Sequence, residues 1–428
     1  MRADPFDSDR VDIRAVRLPT LTAVADDARL KRSLGLPLLT LYGLGNILGA
    51  GIYVLIGKVA GFAGSSTTLA FLLAMVTAAV TALSYMELSG RYPVSASVSV
   101  YLHRAFGKRW LSTGIGLAMV AGGITSAAAL AQGFAGYLHS FVSVPAVVAS
   151  VGLLVVLGAI AIKGIGESAK TAAVLTVVEI VGLALVIWFG RKAFTQVDTG
   201  ALLSIDPAVG LGGVFAGAFL AFYAYIGFED MVNVAEEARN PSRTVPLAIL
   251  ISLVISTALY LLVVVVSTTL VSPADLAQSD APLALVFSRS GAGDVAVISA
   301  IGVIAAVNGV IVQIIMGSRI LYGLANEGWI HSRFATVHPT FKTPVPATLL
   351  VVAAMIIATL ALPLVSLAQL TSLLVLTIFT LVIASLIVIK RRGGPHPGYI
   401  TIPAAIPYLG VALCMGTLVV QVFNPALR

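Results

Sequence analysis

The chain has 428 residues, of which 58% are hydrophobic and only 11% are charged. No soluble core needs so much apolar surface, so the composition predicts an all-α polytopic membrane protein. The formal net charge of +7 does not indicate nucleic-acid binding, because most of the basic residues lie in short loops. The single cysteine, Cys414, excludes a disulfide framework within the chain, and the five histidines lack the spacing of metal ligands.

Residues 1–35 are polar and rich in Arg and Asp, and no apolar stretch resembling a cleavable signal peptide precedes the first span. We expect a cytoplasmic tail. Eleven apolar segments follow, with boundaries accurate to a few residues. They cover approximately residues 36–62, 65–89, 109–139, 144–163, 169–190, 209–236, 244–271, 294–325, 345–362, 365–389 and 400–423. The third and eighth exceed the ~20 residues that a span needs, so we expect them to be tilted or to protrude.

The distribution of Lys and Arg predicts the orientation of the chain. With the N-terminus inside, only Arg191, Lys192, Arg289 and Arg428 fall on the outer side, apart from Lys58 within the first span. All other basic residues are cytoplasmic. We therefore expect a plasma-membrane protein with a cytoplasmic N-terminus and, after eleven spans, an extracellular C-terminus.

The first span is interrupted at its middle by glycine. Leu41–Phe62 contains Gly43, Gly45, Gly49 and Gly51, and each costs an interior helix ~1 kcal/mol relative to alanine. Irregular backbone at membrane depth survives only where protein or a watery cavity satisfies its polar groups. A broken helix at the midplane is typical of a secondary transporter's binding site. Close packing of helices through small residues is the alternative.

A second interruption lies in the sixth span, where Gly227 precedes two adjacent carboxylates, Glu229 and Asp230. Each charged carboxylate in a span costs at least ~2.5 kcal/mol. Two broken, antiparallel helices five spans apart predict a five-plus-five inverted repeat. The repeats would cover residues 36–190 and 209–389, with an extracellular loop at 191–208 and an additional span in 390–428.

Four motifs resemble the amino acid–polyamine–organocation superfamily, nearest to its bacterial cationic-amino-acid-transporter-like members. They are GLGNILGAGIYVLIG (43–57), the YMEL, RYP and YLHRAFG pieces within 85–107, YIGFEDMVNVAEEARNPSRTVPLAI (225–249) and SRILYGLANEGWIHSRFATVHPTFKTPVPA (318–347). The resemblance implies a leucine-transporter-like core of ten helices and transport of amino acids or related organic cations. Three features depart from the family: Ser95-Ala96-Ser97 replaces a glycine-rich stretch, a twelfth helix is missing, and Glu179 stands where many proton-coupled relatives carry lysine.

The resemblance also implies where an amino acid would bind. Its carboxylate would meet the break in the first span, at Ile47, Gly49, Ala50 and Gly51. Its ammonium would meet the carbonyls of the second break, in the segment formed by Tyr223, Ala224, Tyr225, Ile226 and Gly227. Free N–H groups and carbonyls at helix breaks suit these two charges. One of the two tyrosines would act as an aromatic lid, or both would be ordinary core tyrosines.

Three deep carboxylates are candidates for proton coupling: Glu179, Glu229 and Asp230. Glu179 lies near the bilayer middle and would either carry the coupling proton, pair with Lys58, or be a neutral carboxyl between helices. Glu229 and Asp230 cannot both be ionised cheaply in a dry site, so at least one would carry a proton or face a cationic substrate. They would instead be solvated if the span ended earlier.

Several other polar residues suggest gates or helix contacts. Glu87, beside Arg91, predicts a surface ion pair or gate element, and Lys58 would snorkel outward or pair with an acid. Glu236 and Arg239 predict a cytoplasmic cap or a merely solvated helix end. Asn308, Gln313 and Ser318, on the eighth span, would face the pathway or join helices.

The combined pattern favours a secondary active amino acid transporter that works by alternating access, with proton symport as the first choice and sodium as another coupling ion. A polyamine or cationic amino acid exchanger is the nearest alternative. An ion channel and a membrane-embedded enzyme are remote, since neither pore rings nor a catalytic cluster is evident. We expect no cofactor, no enzymatic activity and no nucleic-acid partner. The expected partners are a small-molecule amino acid or amine substrate and the surrounding lipid bilayer. The sequence does not fix the oligomeric state.

Overall fold

The computed structural model describes residues 32–93, 97–164, 169–197, 200–291, 294–393 and 399–423. Within these ranges the regular structure is helical, apart from one isolated parallel bridge between Leu34 and Ala238. Most of the expected N-terminal tail, Ser95-Ala96 and the last five residues lie outside the described residues.

The first half of the chain forms eight α-helices. They are α1 (Leu36–Ala63), α2 (Thr67–Arg91), α3 (Ser97–Phe106), α4 (Arg109–Leu138), α5 (Ala146–Ile162), α6 (Ala169–Phe189), α7 (Ala193–Gln196) and α8 (Gly210–Phe222). After α8 the chain continues through 3₁₀ turns at Tyr223–Tyr225 and Phe228–Glu237.

The second half adds seven more. They are α9 (Pro241–Leu270), α10 (Pro273–Gln278), α11 (Pro282–Arg289), α12 (Val295–Asn326), α13 (Val345–Ala361), α14 (Leu364–Arg391) and α15 (Ala405–Phe423). Ten of the eleven apolar segments expected from the sequence coincide with an α-helix whose ends differ by a few residues. In the sixth segment the α-helix ends at Phe222, and 3₁₀ turns cover most of the rest. The sequence analysis missed α3, α7, α10 and α11, which are too short or too amphipathic to resemble a span.

Eight helical stretches in the described ranges are long and apolar enough to cross a membrane, and the first of them joins α1 and α2. Two apolar helices of 17 residues, α5 and α13, are shorter than these. The expected class, an all-helical polytopic membrane protein, is therefore confirmed. The count of eleven spans stays a prediction.

Both expected helix interruptions are present. The backbone leaves helical geometry at Gly49, with φ 12° and ψ −161°. In the second case α8 ends at Phe222, Ile226 is extended with ψ 142°, and Gly227 has φ 129°. A positive φ is strained for a residue with a side chain, so glycine is required at 227. The inverted repeat that suggested the pairing of these breaks remains a prediction.

The two broken segments lie inside the bundle. Helix α1 packs against α6, α8 and α9, while α4 packs against α12 and α14. Large aromatic side chains fill the space around the breaks, among them Tyr53, Tyr225, Phe228 and Tyr260, all fully buried. The irregular backbone is therefore surrounded by protein, as its unpaired polar groups require.

Candidate functional site

The breaks in α1 and after α8 touch each other. Gly227 lies so close to α1 that a Cβ at this position would overlap the carbonyl oxygen of Asn46. On the other side, a Cβ at Gly51 would lie 3.1 Å from Cα of Ala224. Glycine at these positions therefore lets two irregular backbones approach without side chains between them. The close approach brings the predicted residues of the two segments into one place.

A tyrosine that the sequence analysis missed bridges the two breaks. Tyr260, on α9, is fully buried, and its hydroxyl lies 2.6 Å from the carbonyl oxygen of Ile47 and 2.9 Å from that of Ala224. A hydroxyl has one proton to donate, so the two carbonyls share it. A lone tyrosine in an apolar helix has no spacing signal that could have identified it.

The predicted substrate-binding residues have different surroundings. Gly49 is buried, yet no atom would lie within 4 Å of an added Cβ, so there is open space beside the first break. The Tyr223 hydroxyl is hydrogen-bonded with the Ser126 hydroxyl of α4 at 2.9 Å. Tyr225 is fully buried, with its hydroxyl 3.5 Å from the carbonyl of Phe71. In this structure Tyr225 has the surroundings of a core tyrosine. The side chain of Ala50, another predicted binding residue, lies outside the described part.

A small cavity of about 50 Å³ opens beside the second break, between α4, α12 and α14. That volume holds a few water molecules, so an amino acid would need side chains to move. Ile226, Glu229 and Asp230 line it, together with Gln313. The predicted residues of α1 do not border this cavity.

The two adjacent carboxylates are both largely buried, with 8% exposure each. Glu229 Oε2 accepts a hydrogen bond of 2.8 Å from the Gly227 N–H, so this carboxylate caps the 3₁₀ helix that starts at the break. Asp230 also borders the cavity. Tyr85, on α2, completes this wall with a buried hydroxyl that has no hydrogen-bond partner among the described residues. Protein therefore encloses both carboxylates, while the depth at which the sixth span leaves the membrane stays a prediction.

Glu179 is fully buried on α6. Its Oε1 accepts a hydrogen bond of 3.0 Å from the Asn308 amide of α12, and its backbone carbonyl accepts one of 2.7 Å from the Tyr53 hydroxyl of α1. The ammonium of Lys58, the alternative partner predicted for Glu179, donates to the carbonyl of Ala277 at 2.6 Å, at the end of α10. Glu179 of α6 is therefore bonded to two other helices, α12 and the broken α1.

The expectation of a surface ion pair at Glu87 was wrong in its location, because the Glu87 side chain is fully buried. Its Oε1 accepts from Arg91 at 2.9 and 2.6 Å, and its Oε2 accepts from Lys390 at 2.5 Å and from the Ile402 N–H at 2.8 Å. We call these four residues the Glu87 cluster. It joins α2, α14 and the segment before α15, contacts that sequence spacing does not reveal.

The remaining gate candidates are less enclosed. Glu236 and Arg239 are exposed, and the chain here is held through its backbone, since the Arg239 N–H donates to the Leu34 carbonyl at 2.8 Å.

The three polar residues predicted on the eighth span have different contacts. Ser318 donates to its own helix at Ile315. Gln313 lies at the cavity, and Asn308 lies at Glu179.

Comparison with known proteins identifies the family of the chain. A family model described as amino acid permease matches residues 34–428. The chain is 30% identical to a branched-chain amino acid permease of Bacillus subtilis, over 92% of this chain and 89% of that protein. It is 28% identical to a methylthioribose transporter of the same organism, over 93% and 90%. It is also 31% identical to cationic amino acid transporter 4 of Mus musculus, over 89% of this chain and 63% of that protein. The chain belongs to the amino acid permease family of the amino acid–polyamine–organocation superfamily.

Proposed function

We propose that the protein is a secondary active transporter that moves amino acids across the plasma membrane by alternating access and couples their uptake to protons. The N-terminus would be cytoplasmic and the C-terminus extracellular, as the distribution of basic residues predicts. The named relatives support amino acids as the substrate class, because two of the three carry amino acids in their printed names.

The observation that carries the proposal is the contact between the two broken helices. Gly227 against Asn46, and Gly51 against Ala224, bring N–H and C=O groups from both breaks together inside the bundle. A zwitterion needs donors for its carboxylate and acceptors for its ammonium, and helix breaks supply both without side chains. The open space at Gly49 supports binding of the substrate there.

Glu179 is our candidate for the proton-coupling residue. Its buried carboxylate accepts a hydrogen bond from Asn308 of α12, and its backbone carbonyl accepts one from Tyr53 of the broken helix α1. A change in the charge of the carboxylate would therefore act first on α12, at a position of α6 that is itself bonded to α1. Intramembrane carboxylates in such surroundings are functional candidates by default.

The test is uptake of a panel of labelled amino acids into proteoliposomes, with and without an inward proton gradient. Glu179→Gln keeps a carbonyl oxygen that can accept from Asn308 but removes the titratable group. We expect wild-type accumulation driven by the gradient, and in Glu179→Gln loss of gradient-driven accumulation with exchange retained. Glu327→Gln, at the exposed end of α12, is the matched control.

Three outcomes would contradict the proposal, each in a different part. Accumulation by Glu179→Gln at the wild-type level would remove Glu179 from the coupling mechanism. Wild-type uptake that does not depend on the proton gradient but responds to a sodium gradient would show that sodium, not the proton, is the coupling ion. Absence of uptake for every amino acid would contradict the proposed function itself.

A second candidate function is exchange of polyamines or cationic amino acids. Its support is the pair Glu229 and Asp230 at the cavity, whose lining contains no Lys or Arg among the described residues. Proteoliposomes loaded with unlabelled arginine or putrescine distinguish the two functions. Uptake that depends on the internal amine and not on the gradient would favour exchange.

A further inference from the structure

The Tyr260 hydroxyl has no role in the function proposed above, yet it sits where the two breaks meet. It is the one described side chain that donates to carbonyls of both broken segments, Ile47 at 2.6 Å and Ala224 at 2.9 Å. Both carbonyls belong to residues that we expect around an amino acid substrate. The role of this side chain therefore concerns the substrate site directly.

The ring of Tyr260 is held in place independently of its hydroxyl. It packs edge-on against Tyr225, with ring centroids 5.3 Å apart, and against Phe71 at 6.4 Å. Such aromatic contacts survive the loss of the hydroxyl. The hydroxyl is thus presented to the two carbonyls by a fixed ring, which is the arrangement of a positioning group.

At their two closest points the segments meet through glycine, with the Tyr223 ring and the Ala224 Cβ 3.6 Å from where a Cβ of Gly51 would lie. Gly227 and Gly51 give close approach without a Cβ, and backbone without side chains or regular helical bonds is locally weak. A donor shared between Ile47 and Ala224 fixes the separation of the two carbonyls. Each carbonyl keeps a second lone pair for another donor, such as a substrate ammonium.

We propose that Tyr260 is a positioning residue that holds the two breaks at a fixed separation, called here their register, and so presents their carbonyls to the substrate amino group. The inference rests on the proposed function for the identity of the substrate, but the register of the two breaks is a property of the protein alone. Loss of the hydroxyl would therefore loosen both breaks and weaken substrate binding, with little effect on the maximum rate.

The chain offers a matched control in Tyr137. This buried tyrosine of α4 also donates to a carbonyl of α1, that of Tyr53, at the same distance of 2.6 Å. Its acceptor lies in the α-helical part of α1, beyond the break. Tyr260→Phe and Tyr137→Phe thus each remove one buried hydroxyl donor to α1, and only the first removes it from the break.

The first measurement is hydrogen–deuterium exchange of the full-length, substrate-free protein. We expect Tyr260→Phe to speed exchange in peptides that cover both residues 44–52 and residues 222–230, whereas Tyr137→Phe leaves both at wild-type rates. Unchanged exchange at either break in Tyr260→Phe would overturn the inference. Should this variant not fold, 3-fluorotyrosine at position 260 supplies a stronger donor of the same shape and should slow exchange at both breaks; unchanged rates would overturn it.

The second measurement is uptake against concentration, for the amino acid of the panel that the wild type transports fastest. Loss of one hydrogen bond predicts a KM about fivefold to tenfold higher in Tyr260→Phe, with kcat within about twofold. Tyr137→Phe should keep the wild-type KM. An equal KM in all three proteins would remove the positioning role. If the wild type transports no amino acid, the proposed function fails while the exchange measurement still decides the register.

Discussion

The Glu87 cluster and the contact between the two breaks both place polar groups deep in the bundle, but they satisfy them in different ways. At the cluster, a carboxylate accepts four hydrogen bonds from two cations and one backbone N–H, all between 2.5 and 2.9 Å. At the breaks, two carbonyls share a single hydroxyl proton, and there is open space beside Gly49. Both carboxylate oxygens of Glu87 thus have two hydrogen-bond donors each, whereas the carbonyls of the two breaks keep lone pairs that can accept further hydrogen bonds.

This difference assigns the two regions different tasks. A saturated buried ion cluster is costly to disturb, because removal of one partner leaves the others uncompensated. It therefore suits a joint that keeps α2, α14 and the α15 segment together. Backbone acceptors with spare capacity suit a site that must take up and release a ligand. Variants in each region therefore test the two tasks separately.

The largest effect should come from Glu87→Ala, which leaves the partly buried ammonium of Lys390 and guanidinium of Arg91 without their carboxylate. Breaking a buried ion pair costs about 3–5 kcal/mol. We expect a markedly lower temperature for loss of monodisperse protein in size-exclusion chromatography of the detergent-solubilised chain. Glu327→Ala, an exposed carboxylate, should leave that temperature unchanged. Equal behaviour of both variants would show that the cluster does not join these helices.

A smaller loss of stability but a severe loss of transport should follow from Gly227→Ala. The new Cβ would overlap the Asn46 carbonyl, and the positive φ adds strain of about 1–3 kcal/mol. Uptake should fall by at least about tenfold because the two breaks are pushed apart. Gly152→Ala is the control: this exposed glycine of α5 has open space around it, and alanine favours the helix. Normal uptake by Gly227→Ala would show that close contact of the breaks is not needed.

The smallest effect concerns the loop before α8, where Asp206 receives N–H bonds of 2.9 Å from both Ser65 and Ala208. These donors favour the ionised carboxylate and lower the pKa of Asp206 below its ordinary value. Its stabilising contribution is therefore present at neutral pH and is lost as the pH falls through the lowered pKa. Hydrogen exchange in peptides covering residues 200–210 should speed up at acidic pH, relative to the intrinsic rate, in the wild type. In Asp206→Asn the acid-dependent change should disappear; if it persists, another group is responsible.

The sequence was sufficient for the long apolar helices and for the two breaks, because both depend on local features. Apolar runs of about 20 residues locate spans, and glycine at 49 and 227 marks the places where the helix cannot continue. The sequence does not predict the short helix α10, because six residues are too few to form an apolar span. For the same reason it does not predict the contact of Lys58 with Ala277 of that helix.

The site could be predicted only in part because its remaining contacts are tertiary. Glu87 and Lys390 are 303 positions apart, and each resembles a solvated charge at a helix end. Tyr260 is 213 positions from Ile47, in a helix whose composition is otherwise that of a simple span. The packing of α9 against α1 and of α14 against α2 determines these contacts, and periodicity does not encode that packing.

The central claim is that the amino acid binds where the breaks meet, and cysteine protection tests it most directly. Cys414 is the single cysteine of the chain and is buried, so Cys414→Ala gives a background in which Ile226→Cys places one thiol at the break and cavity wall. We would measure its rate of modification by a methanethiosulfonate reagent with and without each amino acid, beside Glu327→Cys as the control. The account predicts that transported amino acids slow modification at position 226 and not at position 327. Equal rates at 226 with and without a transported amino acid would contradict it.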